Sequence, residues 1–190
     1  MKKILCVLLL LLTGCSSKTS MIEIQKHVYV EKEFKDSWLE TNEFDDSYIK
    51  EELQGGYHYH FDQQFLEIFF NSGGKIELYN YSIKKNDLII SGEMIPPKTI
   101  RLVHPHLDNV TSEGVIIHEL GHYFDEKHQF SSSKQFTELY KKYRTLFNQK
   151  TKKEYFAECF KEYVGGHQEK VKPFHSYMKT ITQKIRQKNK

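Results

Sequence analysis

The stretch VIIHELGH, residues 115–122, decides the fold of this chain. Three apolar residues run directly into two histidines four positions apart, the spacing that puts both imidazoles on one face of an α-helix. Glu119 lies between them and projects close to that face. Such a helix is typical of a zinc site in which the glutamate takes a proton from the attacking water. The pattern predicts a helix beneath a cleft, with His118 and His122 as metal ligands.

The flanking residues fit that interpretation. Asn109, Thr111 and Ser112 are candidate N-caps just upstream of the helix. Gly121 would leave space beside the metal. The alternative is an ordinary buried helix with two incidental histidines. When the motif is embedded in this way, peptide hydrolysis is the chemistry that it indicates.

A hydrolytic zinc site needs a third protein ligand, and the segment EYFAECF, residues 154–160, offers two glutamates. Glu154 and Glu158 are four residues apart and share a helix face. We predict Glu154 as the ligand and Glu158 as the hydrogen-bond acceptor that fixes a ligand histidine's tautomer. The reverse assignment stays open, because spacing alone does not distinguish the two glutamates.

The glutamates also differ in their structural alternatives. Thr151 and Glu154 have the spacing of a capping box, in which the threonine hydroxyl and the glutamate close the start of a helix. Glu158 has no such role, since its neighbours are mostly apolar. A buried carboxylate needs a partner, which favours a site role for Glu158.

Together, the HELGH helix and the later EYFAECF segment resemble the catalytic domain of anthrax-lethal-factor-like zinc metallopeptidases, which include the secreted Pro-Pro endopeptidases. The similarity covers roughly residues 104–164. It implies a zincin-like α+β fold, one zinc ion on His118, His122 and Glu154, and Glu119 as the general base. In that family a tyrosine seven residues before the ligand glutamate is thought to stabilise the oxyanion. Here that position is Phe147.

Phe147 departs from the family pattern, because a phenyl ring cannot donate a hydrogen bond to the tetrahedral intermediate. Loss of one such donor typically costs about a hundredfold or more in rate. Tyr143, His167 or His175 could replace the donor, or the enzyme could be slow. Tyr143 also belongs to an apolar stripe over residues 136–147 that predicts core packing of an amphipathic helix.

The N-terminus carries a second motif. Two lysines precede an apolar run over residues 4–12, and the run ends in LTGC, residues 12–15. This is the pattern of a bacterial lipoprotein signal, too short to span a bilayer. We expect a signal peptide over residues 1–14, a lipidated Cys15, and a polar tether over residues 15–24 that holds the protein at the extracytoplasmic membrane face. A plain signal peptide is the alternative.

Cysteine count and charge narrow the function classes. Cys6 would leave with the signal and Cys15 would be acylated, so Cys159 remains alone and is expected to be small apolar filler. Removing residues 1–14 takes two of the 28 basic residues and none of the 25 acidic ones, which leaves a net charge near +1. That balance argues against a nucleic-acid partner.

Residues 25–190 are long enough for a single domain with its own core. We expect helices within residues 31–53 and an apolar helix between the glycine pairs at 55–56 and 73–74. Between residues 75 and 103 we expect strands around 76–81, 88–90 and 99–103, with turns at 84–87 and 96–97. Pro173 should begin a C-terminal helix. The histidine pairs at positions 58 and 60 and at 104 and 106 lack partners at ligand spacing and are not expected to bind metal.

The sequence therefore predicts a monomeric, membrane-anchored, extracytoplasmic zinc endopeptidase of α+β, zincin-like architecture whose substrate is a secreted or surface protein. Two alternatives remain. One is a catalytically degenerate surface lipoprotein that binds zinc and holds peptides or proteins. The other is an immunity-like lipoprotein with purely structural zinc.

Overall fold

The computed structural model describes residues 20–32, 53–56, 58–79, 83–85, 88–103, 114–149 and 151–189. Several expectations lie outside the described residues. These are the signal peptide over residues 1–14, the lipidated Cys15, nearly all of the helical region expected within 31–53, the N-cap candidates upstream of residue 113, and the histidines at positions 104 and 106.

The described part of the chain contains seven strands and five α-helices. The strands are β1 Met21–Gln25, β2 Val28–Glu31, β3 Lys75–Tyr79, β4 Ile83–Lys85, β5 Leu88–Ile90, β6 Gly92–Ile95 and β7 Thr99–Val103. The helices are α1 Gln64–Asn71, α2 Val115–His128, α3 Lys134–Tyr143, α4 Lys152–Val164 and α5 His175–Gln187, and short 3₁₀ segments occupy Phe130–Ser132 and Gln168–Phe174.

Five strands form one sheet in the order β1-β2-β3-β7-β6, and β4 and β5 form a separate antiparallel pair. The three central strands are parallel, while β1 and β6 are antiparallel to their neighbours. Both outer strands are thus reached by short connections, and the longer crossovers carry the chain between β2, β3 and β7. The fold is mixed α+β, as the sequence predicted.

The expected tether over residues 15–24 is wrong at its C-terminal end, because Met21–Gln25 forms strand β1. Ile22 pairs with Val30 of β2, so this segment belongs to the sheet. The serine-rich start of the segment suggested a polar linker. The apolar residues that follow it, Met21, Ile22 and Ile24, were included in that linker.

The strands expected between residues 75 and 103 are confirmed at β3, β5 and β7, whereas β2, β4 and β6 were missed. The apolar helix before them is confirmed as α1, although it begins at Gln64 and leaves the buried Phe61 outside. β6 is the edge strand that packs beside α2.

The core lies between one face of the sheet and the helices. Ile76 and Ile100 of the central strands are fully buried. On the far side of α4, aromatic rings form a second part of the core, with the Phe136 and Phe156 centroids 5.4 Å apart. The C-terminal helix is confirmed; it begins at His175, because Pro173 lies in the preceding 3₁₀ segment. Leu146, expected in the core, is 43% exposed.

Helices α2 and α4 form the most extensive helix pair among the described residues. Gly121 lies where they meet: a Cβ there would be 2.9 Å from Ala157 Cα and 3.2 Å from its carbonyl oxygen. The missing side chain therefore makes room for a neighbouring helix backbone rather than for the metal. Among these helices, none has the length and apolar character needed to cross a membrane.

Candidate metal centre

Helix α2 is held at its start by the segment before α1. Gly114 is the N-cap residue with φ 74°, and its N–H donates to the Gly55 carbonyl over 3.1 Å. A Cβ on Gly114 would be 2.9 Å from the Tyr59 ring. Both the left-handed backbone and the close contact require glycine. The side-chain N-cap expected upstream is therefore absent at this helix start, and Gly114 takes its place.

Helix α4 begins with a side-chain cap. The Glu154 N–H donates to Thr151 Oγ1 over 3.2 Å, which confirms the threonine half of the expected capping box. The Glu154 carboxylate turns away from that cap toward α2. Tyr155, Phe156 and Phe160 are fully buried on the other sides of the helix. The apolar faces of α4 thus fix the direction in which its glutamates point.

The Glu154 carboxylate meets both histidines of α2. Glu154 Oε2 lies 3.2 Å from His118 Nε2 and 3.3 Å from His122 Nε2. The candidate ligand atoms of the three residues all lie within 4.8 Å of one another. Zinc–ligand bonds of about 2.0–2.1 Å in a tetrahedron imply ligands about 3.3 Å apart. Two nitrogens and a carboxylate oxygen at these separations could hold a zinc ion.

Glu158 lies on the opposite side of His118. Its Oε2 is 3.2 Å from His118 Nδ1, and its Oε1 is 2.6 Å from Lys161 Nζ. Each ring nitrogen of His118 therefore has its own carboxylate. Glu154 faces the nitrogen on the side that His118 shares with His122, while Glu158 faces the other nitrogen.

The charges at this cluster stabilise one another when no cation is bound. Burial disfavours a charged His118, but its contacts with Glu154 and Glu158 outweigh this and raise its pKa to about 9. Hydrogen bonds from His118 and His122 lower the pKa of Glu154 well below its usual range. The Glu154 side chain is nonetheless 45% exposed, so the cluster opens to solvent on its side.

Glu119 sits between the two histidines and is only 6% exposed. Burial raises the pKa of its carboxyl, and the positive charges of His118 and His122 partly offset this effect. Its carboxylate accepts a hydrogen bond from the backbone N–H of Met94. Strand β6 therefore contacts the residue that the sequence assigned as general base. A carboxyl with a raised pKa suits proton transfer near neutral pH.

A cleft of about 460 Å³ opens beside this cluster. Helix α2, Lys161 of α4 and the chain entering β6 all contribute to its lining. The residues that line it are Tyr59, Ile90, Ser91, Gly92, Val115, His118, Glu119 and Lys161.

The residues considered as oxyanion donors lie elsewhere. The Tyr143 ring packs 6.1 Å from that of Phe174, and the Phe147 ring packs 5.3 Å from that of Tyr155. His167 Nδ1 is 3.1 Å from Glu162 Oε2. His175 Nε2 is likewise hydrogen-bonded outside the cleft, 3.2 Å from Gln168 Oε1. Neither these donors nor Phe147 is among the described residues that line the cleft.

Sequence reasoning missed Tyr59 and Lys161, which line the cleft. Lys161 carried a usable signal, because it follows Glu158 by three residues on the same helix. Tyr59 had none, because it lies far from the motifs in the sequence. The flanking His58 and His60 are exposed and do not belong to the metal-capable cluster. Cys159 is fully buried, as expected of apolar filler.

No protein-family model matches this chain, and no curated protein matches it. We therefore infer a function from the arrangement of the protein's own residues.

Proposed function

We propose that this protein is a zinc-dependent endopeptidase that binds one zinc ion through His118, His122 and Glu154. The observation that carries the proposal is the convergence of two imidazole nitrogens and one carboxylate oxygen within 4.8 Å, with Glu119 between the histidines. That donor set matches hydrolytic zinc sites, which keep a position open beyond three protein ligands.

When bound, zinc would act as a Lewis acid that polarises the peptide carbonyl. Glu119 would accept a proton from the attacking water and then donate it to the departing amine. Burial raises the pKa of this carboxyl, so it accepts a proton more readily than an exposed glutamate does. The Met94 N–H fixes the carboxylate at the edge of the cleft.

The remaining residues orient the site. Glu158 accepts from His118 Nδ1, which leaves the Nε2 lone pair of that ring directed toward the metal position. The reverse assignment, with Glu158 as ligand, is disfavoured because Glu158 faces only one histidine and is already paired with Lys161.

The proposal extends to the architecture and location inferred from the sequence. A zincin-like domain of the lethal-factor-like group, attached by a lipid on Cys15 to the extracytoplasmic membrane face, would act on secreted or surface proteins. The two sequence motifs and the LTGC pattern at residues 12–15 support this part. With phenylalanine at position 147, we expect a turnover rate below that of relatives with the tyrosine donor.

The test compares zinc content and cleavage of a mixed peptide library in wild type, Glu119→Gln and Glu126→Gln. Glu126 is a matched control, because it lies on the same helix but is 54% exposed and paired with Lys153. We expect one zinc per chain in all three proteins. Wild type and Glu126→Gln should cut the same peptides, and Glu119→Gln should be slower by about a hundredfold or more.

A second function, peptide or protein binding without cleavage, is favoured by one observation: Tyr143 packs against Phe174 and His167 pairs with Glu162, so both candidate donors are engaged elsewhere. A wild-type protein that holds one zinc and cuts no peptide would support it. A purely structural zinc is less consistent with the geometry, because structural sites are closed to water and Glu154 is 45% exposed.

A further inference from the structure

Lys161 contacts both Glu158 and Glu162, the carboxylates before and after it on α4. Its Nζ lies 2.6 Å from Glu158 Oε1 and 3.7 Å from Glu162 Oε1. The lysine side chain is 16% exposed and also lines the cleft. It is thus an ammonium group held in the wall of the site.

We propose that Lys161 is a positioning residue: it fixes the Glu158 carboxylate, and through that carboxylate it sets the orientation of the His118 ring. This inference rests on the proposed function, since the orientation matters for holding zinc. The contacts form one continuous series, from Lys161 Nζ to Glu158 Oε1 and from Glu158 Oε2 to His118 Nδ1.

The need for a second partner follows from the carboxylate itself. The terminal torsion of a glutamate is broad, so a carboxylate that touches one ring nitrogen can rotate away from it. A partner on the second oxygen removes that freedom. Glu158 is 14% exposed, so its charge also needs an opposite charge nearby. Lys161 meets both requirements and adjoins no metal-ligating atom.

Lys161 is itself held by its surroundings. Its Nζ lies 5.9 Å from the centroid of the Tyr59 ring, and the Tyr59 hydroxyl donates to Glu162 over 3.0 Å. The ring is wedged between Gly114 and Gly165, where any Cβ would collide with it. Tyr59 is therefore connected through Lys161 and Glu158 to the ring of His118.

The experiment uses Lys161→Met, Lys161→Arg and the matched control Lys153→Met. Lys153 lies on the same helix, is 63% exposed and pairs with Glu126 on the surface. Zinc affinity is measured by competition with a chromophoric chelator. We expect Lys161→Met to weaken zinc binding by about tenfold or more. Lys161→Arg should stay within about threefold of wild type, because it keeps a cation that can pair with the carboxylate.

A second measurement needs no zinc. The His118 Nδ1 proton that donates to Glu158 should give a slowly exchanging downfield proton NMR signal in the zinc-free wild type. We expect Lys161→Met to lose that signal and Lys153→Met to keep it, with thermal unfolding showing that both remain folded. A wild type that binds no zinc would overturn the proposed function, while this NMR comparison would still decide the role of Lys161.

The route through Glu158 is tested by a double-mutant cycle. In a Glu158→Gln background, Lys161→Met should cause no further loss of zinc affinity, because the carboxylate that it positions is gone. Additive losses would overturn the proposal, and so would a Lys161→Met protein that binds zinc as wild type and keeps the His118 proton signal.

Discussion

Helix α4 carries the same residue type at three successive turns of one face, and the two ends of this row differ. Glu154, Glu158 and Glu162 are spaced four residues apart. Their side chains are 45%, 14% and 5% exposed. At the first turn the carboxylate meets two imidazole nitrogens at the solvent side of the site. At the last turn the carboxylate is enclosed by fixed donors.

The carboxylate at the last turn, that of Glu162, has three polar partners within hydrogen-bonding distance. Glu162 accepts from the Tyr59 hydroxyl over 3.0 Å, and its other oxygen lies 3.1 Å from His167 Nδ1 and 3.0 Å from Lys170 Nζ. This carboxylate is enclosed by three side chains from outside α4 and is only 5% exposed, so it holds the structure together. Glu154 faces nitrogens that can give up their protons to a metal. The partners of each carboxylate, rather than its position along the helix, therefore distinguish the glutamate that could bind a metal from the one that stabilises the fold.

The largest effect is expected at Glu154, the first glutamate of this row. Glu154→Ala should weaken zinc binding by more than about a hundredfold, because a ligand contributes more than the outer partners, whose loss typically costs 10–100-fold. Zinc-free Glu154→Ala should unfold at a somewhat lower temperature than wild type, since it loses the carboxylate that pairs with His118 and His122, but it should remain folded. Chelator competition and thermal unfolding check both parts. If Glu158→Ala abolished binding and Glu154→Ala did not, the roles of the two glutamates would be reversed.

The next-largest effect is expected at Glu162, the last glutamate of the row. Glu162→Ala should lower the free energy of unfolding by about 2–3 kcal/mol, because the partners of a buried charged acceptor lose their hydrogen bonds. Zinc affinity of the folded protein should change far less than in Glu154→Ala. Urea unfolding measures the first quantity. Glu169→Ala, at an exposed position of the following segment, is the control that should leave stability unchanged.

The sequence predicted the helices better than the strands, for a physical reason. α3 and α5 each repeat an apolar face over several turns, and α2 and α4 carry motifs whose spacing of four residues implies a helix. Length does not explain the missed strands, because β3, β5 and β7 are no longer than β1 and were expected. β1 follows a serine-rich stretch and was interpreted together with it as a tether. β6 begins with glycine and ends before two prolines.

In the candidate site, too, some residues were predicted from the sequence and others were not. Its candidate ligands were found because each pair lies within one helix, where spacing fixes which residues share a face. Lys161 was overlooked as an ordinary helix lysine, and Tyr59 meets α4 only through the tertiary fold. The Met94 donor is a backbone N–H, which leaves no mark on the amino-acid sequence.

A third prediction concerns the position of α4, and with it all three glutamates, relative to α2. Gly121→Ala places a Cβ 2.9 Å from Ala157 Cα, and overpacking of this kind typically costs about 1–3 kcal/mol. Zinc affinity should also fall, because α4 must move away from the histidines. Because the contacting atoms at Ala157 are backbone atoms, Ala157→Gly should not rescue either loss. A rescue measured by urea unfolding and chelator competition would show that the helices do not meet at this point.

The smallest expected effect concerns Cys159, which lies beside Glu158 in the sequence and is fully buried. Burial raises the pKa of its thiol above the ordinary 9.0, and the charges of Glu158 and Glu162 add to the shift. The unfolded thiol ionises first, so the stability that this group contributes is complete below pH 9.0 and is lost as the pH rises further.

Cys159→Ala should therefore cost about 1 kcal/mol at pH 7.5, where the only loss is that of buried volume. Between pH 9 and 10 the wild type should lose about 1 kcal/mol more than the variant, because the unfolded thiol goes from half ionised at its pKa of 9.0 to almost fully ionised while the folded thiol stays protonated. Urea unfolding of both proteins under reducing conditions at pH 7.5, 9 and 10 measures the difference. Parallel stability curves would mean that the thiol ionises as readily in the folded protein as in the unfolded chain, and that neither burial nor the two neighbouring carboxylates control it.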